Sequence, residues 1–299
     1  MKKILITGGT GLLGKSLIEH RLHNFEVSAA FFPKVPANIM EGLSSYFLDI
    51  RNAENTEEVF NIVKPDVVIH TAGLASVDYC ESHKEESWEV NVEGTKNIIS
   101  ACSKNKCKLV YISSNAVFDG VNAPYKEEDK VNPLSVYGME KVECEKMVSK
   151  SGLNYTIVRP ILMYGWNNEN ERNNPVTWLI DCLRESKEVF MVDDIFCNPL
   201  LDYNCAESIW AIIKLNRRGV YHIAGRDCVN RYEFAVETAR IFELNENLIK
   251  PVKNDFFKNI ALRPKNTCYV TKKMEEDLKI RPIGIKEGLL FMKEHPVKK

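Results

Sequence analysis

Along the first half of the chain, short apolar runs alternate with longer stretches of mixed polarity, and the alternation predicts strands joined by helices. Lys2 to Thr7 reads as a strand and Leu12 to His20 as a helix. Glu26 to Phe32 and a short Tyr46 to Ile50 read as further strands, followed by a helix from near Thr56. The pattern repeats with Asp66 to Thr71, a long helical stretch from Trp88 to Lys104, and Lys108 to Ser113. A helix near Ser135 then leads to Asn154 to Arg159. These strand runs are continuously apolar instead of alternating, which is the pattern of a parallel sheet covered by helices on both faces. Beyond Pro160 the pattern breaks into polar segments, with helices near Pro175 to Glu185 and Ala206 to Leu215, and a late strand, Gly219 to Ala224, that returns to the sheet.

The turn after the first strand reads Thr7-Gly8-Gly9-Thr10-Gly11-Leu12-Leu13-Gly14. A strand that turns at once into a helix needs glycine where the backbone turns tightly, where it must approach a diphosphate, and where helix packs on strand. The helix N-terminus then offers free N–H groups and partial positive charge. The expected fold is therefore α/β, a doubly wound Rossmann sheet. Residues 1–160 form the dinucleotide-binding domain, joined by parts of 190–226, and 161–299 form a smaller, interleaved substrate-binding domain.

Charge and cysteines narrow the class. Forty Lys and Arg against 41 Asp and Glu leave a net charge of -1, so no field favours nucleic acid or an anionic membrane. No apolar run approaches the roughly 18 residues of a membrane span. Nine cysteines without a C-x-x-C pair read as buried thiols of a reducing compartment, neither disulfides nor zinc ligands, and the six histidines show no metal spacing. A cytoplasmic protein without a metal is the expectation, its Lys298-Lys299 end solvated.

A second constellation carries chemistry. Lys108 to Ile112 ends in Ser113-Ser114, and Tyr137 and Lys141 follow at i and i+4, one face of a helix. An ammonium beside a phenol favours its ionised form, and a serine hydroxyl at the strand end can hold a carbonyl oxygen. Together they make a proton donor for an alkoxide. The same spacing recurs at Tyr269 and Lys273, but that pair lies far from the nucleotide half in sequence and reads as a decoy.

In order, Thr7-Gly8-x-x-Gly11-x-x-Gly14, His70-Thr71-Ala72-Gly73, Asn91-Val92-x-Gly94-Thr95, Ser114, Tyr137-x-x-x-Lys141 and Arg159-Pro160 resemble the extended short-chain dehydrogenases/reductases. Ile112 to Gly120, Asn132 to Gly138, Val192 to Pro199, Gly219 to Gly225 and Arg263-Pro264-Lys265-Asn266 bring the likeness nearest to the dTDP-4-dehydrorhamnose reductases, over essentially the whole chain. The resemblance implies NADPH- or NADH-dependent reduction of a 4-keto nucleotide-sugar. Tyr137 would be the acid, Ser114 would orient the carbonyl, Lys141 would serve Tyr137 and the nicotinamide ribose, and Asn91 would anchor a water chain behind Lys141. Gly8, Thr10, Gly11, Leu12, Leu13 and Gly14 would hold the diphosphate. Thr71, Ala72 and Gly73 would let the cofactor pass, and Asp49 and Ile50 would flank the adenine. The second strand ends Ala29-Ala30-Phe31-Phe32-Pro33-Lys34 without the acid that grips an NAD ribose, so Lys34 favours NADPH. Ser114, Asn115, Val117, Phe118, Arg263 and Lys265 would face the substrate, the last two because a diphosphate needs cations.

Where such reductases read Ser-Thr-Asp-Tyr-Val-Phe this chain has Ser113-Ser114-Asn115-Ala116-Val117-Phe118, and Leu162 stands where a tryptophan is common. Epimerases and dehydratases of the same superfamily share every cofactor residue. A regulatory, non-catalytic subunit, as the β subunit of methionine adenosyltransferase is, stands as a third reading. Helices near Trp88 to Lys104 and Ser135 to Ser149 are where such proteins dimerise, but their lysines and glutamates suit a monomer equally.

Overall fold

The computed structural model describes residues 1–36, 42–168, 172–258 and 261–296. The Lys298-Lys299 end lies outside them. Six strands alternate with helices in the first half: β1 (Lys2–Thr7), β2 (Phe25–Phe31), β3 (Ser44–Phe47), β4 (Val67–His70), β5 (Lys108–Ile112) and β6 (Tyr155–Pro160). Between them run α1 (Leu12–Glu19), α2 (Ala53–Val63), α3 (Val77–Ser82), α4 (Lys84–Trp88), α5 (Gly94–Asn105) and α6 (Val136–Lys150). The sheet has seven parallel strands in the order Gly219–Ile223, β6, β5, β4, β1, β2, β3. The late strand therefore closes the β6 edge.

Side chains alternate across this sheet and so build two cores. Ile4, Ile6, Val27, Ala29, Ile69, Val110 and Val158 face one side, where Leu13 and Leu17 of α1 pack with Ile209 and Ile213. Leu5, Ala30, Val68, Leu109 and Ile157 face the other, against Phe60 of α2, Ile98 of α5 and Val148 of α6. Register thus assigns each helix to a face, because a one-residue slip would exchange the two sets.

The remainder of the chain carries α7 (Pro175–Arg184), α8 (Asp202–Lys214), α9 (Arg231–Ile241), α10 (Lys272–Leu278) and α11 (Ile285–Glu294). Helix α8 returns to the sheet beside α1, while α7, α9 and α11 build separate apolar clusters around Tyr164, Phe234 and Leu289, and around Leu179, Val189 and Ala239. Among the described residues no helix is long and apolar enough to cross a membrane.

Two expectations change here. Cys228 and Cys268 are joined in a disulfide, with Cα atoms 5.9 Å apart, so the cysteines are not all free thiols; the other seven are. Spacing arithmetic could not find this pair, because the turn after Gly219–Ile223 meets the Arg263 to Cys268 segment only in the fold. The helix read from Trp88 to Lys104 is a composite: α4 and α5 are joined by a π turn, Glu89–Glu93, which carries Asn91.

Candidate active site

The glycine turn is built as its spacing demands. Gly8 takes a positive φ of 73°, and a Cβ there would lie 2.7 Å from the Ala72 nitrogen. A Cβ on Gly14 would lie 2.1 Å from the Gly8 oxygen, so the first turn of α1 rests directly on the loop. Gly11 begins α1 without any side-chain cap, which leaves the first-turn N–H groups to a ligand. Leu12 is half-buried and Leu13 buried behind the turn, while Thr10 offers its carbonyl to the Asn168 amide. Gly11, where the turn enters α1, is exposed.

A buried polar chain ties this loop to the next strand end. Thr71 donates through its hydroxyl to the Thr7 carbonyl at 2.5 Å, and the Ala72 N–H donates to Thr7 Oγ1. Thr7 Oγ1 is 2.8 Å from His70 Nδ1, and His70 Nε2 is 3.1 Å from Thr95 Oγ1, whose own hydrogen goes to the Asn91 carbonyl at 2.6 Å. Thr95 therefore accepts from His70, which places the ring proton on Nε2 and makes Nδ1 the acceptor for Thr7. Burial, with the Lys141 ammonium nearby, pushes His70 down to about 3, so the ring is neutral.

Helix α6 brings the acid group. Ser135 caps it by accepting from the Gly138 N–H, and a Cβ on Gly138 would lie 2.3 Å from the Ala116 oxygen. That close approach sets Tyr137 against the loop that carries Ser114. Tyr137 and Lys141 are both buried. Lys141 Nζ lies 5.7 Å from the Tyr137 ring centre and 5.1 Å from that of Tyr111, and donates to the Ile112 carbonyl at 3.0 Å. Ser114 accepts from the Ala116 N–H, and Asn115 donates to Thr267 at 2.8 Å, so the Arg263 to Cys268 segment comes to the same edge.

Several expected residues stand differently. Val117 and Phe118 are fully buried, Phe118 stacked on Tyr125 at 4.1 Å with the Arg159 guanidinium over it, so neither offers a side chain to a substrate. Ile50 is buried beneath Gly94. Asn91 anchors protein groups: its amide donates to the Leu74 carbonyl and to Glu140 at 2.7 Å, and its oxygen accepts from the Leu74 N–H, fixing the peptide after Gly73. Arg263 is held by Asp78 of α3 at 2.6 Å, which keeps the Asp78 carboxyl below its ordinary range against the pull of burial. Lys265 and Lys34 are exposed. Asp49 is gripped bidentately by Arg51, at 2.9 and 2.7 Å, and the Arg51 guanidinium lies 5.3 Å over the ring of Phe32, at the end of β2.

Reading the sequence missed Arg51, Asp78, Glu140 and Glu145. Glu145 continues the i+4 series Tyr137, Lys141, which could have revealed it. Its carboxylate accepts from Arg159 Nε at 2.8 Å, from Arg159 Nη2 at 2.6 Å and from the Ser113 hydroxyl at 2.5 Å, all buried. A charged pair this deep is sustained only by such complete partnering. Tyr269, set aside as a decoy, stacks at 3.8 Å on His222, whose Nε2 lies 3.3 Å from Arg159 Nη1.

A parallel sheet in this order, a glycine turn at its carboxyl edge and a Ser–Tyr–Lys group on the adjoining loop and helix define a Rossmann-like protein of the short-chain dehydrogenase/reductase class. The chain belongs to the RmlD substrate binding domain family, whose sequence model matches residues 1–295. It is 28% identical to a dTDP-4-dehydrorhamnose reductase of Aggregatibacter actinomycetemcomitans, over 94% of this chain and 95% of that protein. It is 27% identical to methionine adenosyltransferase 2 subunit beta of Bos taurus, over 96% and 87%. The crystal structure of dTDP-4-dehydrorhamnose reductase from Bacillus anthracis in complex with NADP superposes with a TM-score of 0.88 at 27% identity, covering 98% of this chain and 99% of that one.

Proposed function

We propose that this protein reduces the keto group of a 4-keto nucleotide-sugar with NADPH. What supports the reading is Tyr137 and Lys141, buried on one face of α6, with Ser114 on the adjoining loop and a glycine turn where backbone approach leaves no room for a side chain at Gly8 or Gly14. Gly8, Gly11 and Gly14 would hold the cofactor's diphosphate at the uncapped start of α1, and Ala72 and Gly73 would border its path. When bound, the nicotinamide supplies hydride to the keto carbon.

The chain's own residues complete the reduction. Ser114 Oγ holds the carbonyl oxygen by hydrogen bond, and Tyr137 gives its phenolic proton to that oxygen as it becomes an alkoxide. Lys141, anchored on the Ile112 carbonyl, stabilises the phenolate left behind. Lys34 and Arg51 supply cations near the end of β2, where an NADPH 2′-phosphate would lie, with Asp49 orienting Arg51. Arg263 and Lys265 are the cations offered to the substrate diphosphate, and binding there exchanges Asp78 for phosphate on Arg263.

A second reading, that of a dinucleotide-binding subunit of a larger assembly, is favoured by the likeness to methionine adenosyltransferase 2 subunit beta. Purified protein given NADPH and a panel of dTDP-4-keto sugars separates the readings. Stoichiometric NADPH consumption with a 4-hydroxy product supports the reductase. Isomerised sugar without consumption makes it an epimerase, and cofactor binding without conversion of any sugar leaves the subunit.

A further inference from the structure

Away from the Ser–Tyr–Lys group, on the sheet face covered by α1 and α8, a cavity of about 410 Å³ opens between Lys15 of α1, Trp166, the first turn of α8 and the end of α11. Helix α6, which carries Tyr137, packs on the opposite face. The cavity's size lies within the ~300–1,000 Å³ of small-molecule sites. We propose that it is a second ligand site, built for a small organic cation that carries an aromatic ring, such as an arylalkylammonium.

Two features of its walls point to that chemistry. One wall is a continuous set of rings: His20 edge-on to Tyr203 at 4.7 Å, Tyr203 stacked with Phe291 at 5.2 Å, and Phe291 stacked with His295 at 4.3 Å. Such faces attract a flat ring by stacking and a positive charge by their quadrupoles. The other feature is Asp202. Its carboxylate accepts from the Tyr203 N–H at 2.8 Å and, among the described residues, has no cation within 4 Å. A Cβ on Gly165 would lie 2.3 Å from the Asp202 carboxyl carbon, so the carboxyl keeps its place only because residue 165 lacks a side chain.

The cavity's own lysine does not fill that role. Lys15 Nζ donates to the Trp166 carbonyl at 2.9 Å and pairs with Glu19 at 3.7 Å. Burial, outweighing the distant pull of Lys15, pushes the Asp202 carboxyl up to about 7. A half-buried carboxyl facing a cavity gains from a partner that brings a positive charge into it. A bare divalent ion is a poor match, because Ca²⁺ takes about six to eight oxygen ligands, and no group of three or more His, Cys, Asp or Glu among the described residues could hold a metal.

The test uses the full chain and two probes of one shape, benzylamine and benzyl alcohol, titrated by calorimetry and by tryptophan fluorescence. Benzylamine is expected to bind saturably, and roughly tenfold more tightly than the alcohol. Asp202→Asn should erase that preference while leaving cofactor binding unchanged. Phe291→Ala should weaken both probes, which locates them on the ring wall independently of Asp202. Equal affinities in the wild type, or no saturation of benzylamine up to roughly 10 mM, overturn the proposal without recourse to any variant. A preference for benzylamine that survives in both variants would place the amine elsewhere and overturn it equally.

Discussion

The edge of the sheet at α6 and the cavity at the first turn of α8 both hold carboxyl groups away from bulk water, and they do so in different ways. At the α6 edge Glu145 and Arg159 meet in a bidentate pair, Ser113 adds a third hydrogen bond, and Glu140 receives Ser87 and Asn91. At the cavity Asp202 has one backbone donor and no cation among the described residues. At the α6 edge the Glu145 charge is offset inside the protein by Arg159, while Glu140 Oε1 is buried without a hydrogen-bond partner; Asp202 is only partly buried. The Glu145–Arg159 pair ties helix α6 to β6 in one geometry, whereas the Asp202 carboxyl, with no cation within 4 Å among the described residues, is a place where a cationic ligand has something to gain.

The sharpest way to break this comparison is at the acid itself. Tyr137→Phe keeps the ring and removes the proton, so turnover with NADPH and a 4-keto nucleotide-sugar should fall by about 10²–10⁴-fold, with cofactor affinity little changed. Near-normal turnover would move the proton donor elsewhere and leave the network as mere support. Next comes the network. Glu145→Gln strands Arg159 in the core, and urea unfolding should show a loss of about 3–5 kcal/mol. A loss below about 1 kcal/mol would mean that water reaches Arg159 and that the pair is not the closed unit described.

Most of the sheet was legible because apolar runs and glycines report directly on strands and on one tight turn. Gly8, Gly14 and the Tyr137 to Lys141 helix face stand where their spacing demands. What escaped were charges whose meaning depends on distant partners. The lysines and glutamates of α6 do not reveal by composition which of them is buried, yet Glu140 and Glu145 are, each against another element. Arg263 reads as a free cation until Asp78, 185 residues away, is seen to hold it. Cys228 and Cys268 likewise become a pair only when their segments meet.

The two regions should also answer pH with opposite slopes. An unfolded aspartate ionises near 3.9, whereas Asp202 is held at about 7. The folded protein therefore keeps a proton that the unfolded chain has lost, and this contribution is present at about pH 4 and disappears as pH rises through about 7. His70 and His222 are pushed down to about 3, mainly by burial, so theirs is present above about pH 6.5 and lost as pH falls. Asp202→Asn should thus gain stability relative to wild type between pH 4.5 and pH 8, by about 2–4 kcal/mol. A difference that does not change with pH would mean that Asp202 titrates as an ordinary carboxyl. On the substrate side, Arg263→Ala should raise the Michaelis constant for the nucleotide-sugar ten- to a hundredfold, about 1.4–2.8 kcal/mol, with the cofactor constant unmoved. An unchanged constant would leave Arg263 as Asp78's partner alone.

The smallest expected effect is the most discriminating about Tyr269. It repeats the Tyr-x-x-x-Lys spacing, and the fold stacks it on His222, which touches Arg159, so its place in the fold could suggest a second acid. Its surroundings argue otherwise. The ring is buried between His222 and Phe118, its hydroxyl has no hydrogen-bond partner, and Lys273 turns away to the Val220 carbonyl. Burial holds its phenol well above the usual range, which disfavours any role as a phenolate. Tyr269→Phe removes only that unpartnered hydroxyl and keeps the stack, and an unsatisfied buried polar group costs about 1–3 kcal/mol. Turnover should stay within about twofold of wild type, and thermal stability should hold or rise by up to about 1 kcal/mol. A tenfold loss of turnover in the folded variant would instead show that the hydroxyl reaches the reacting group, so that one decoy spacing in the sequence had marked a working residue.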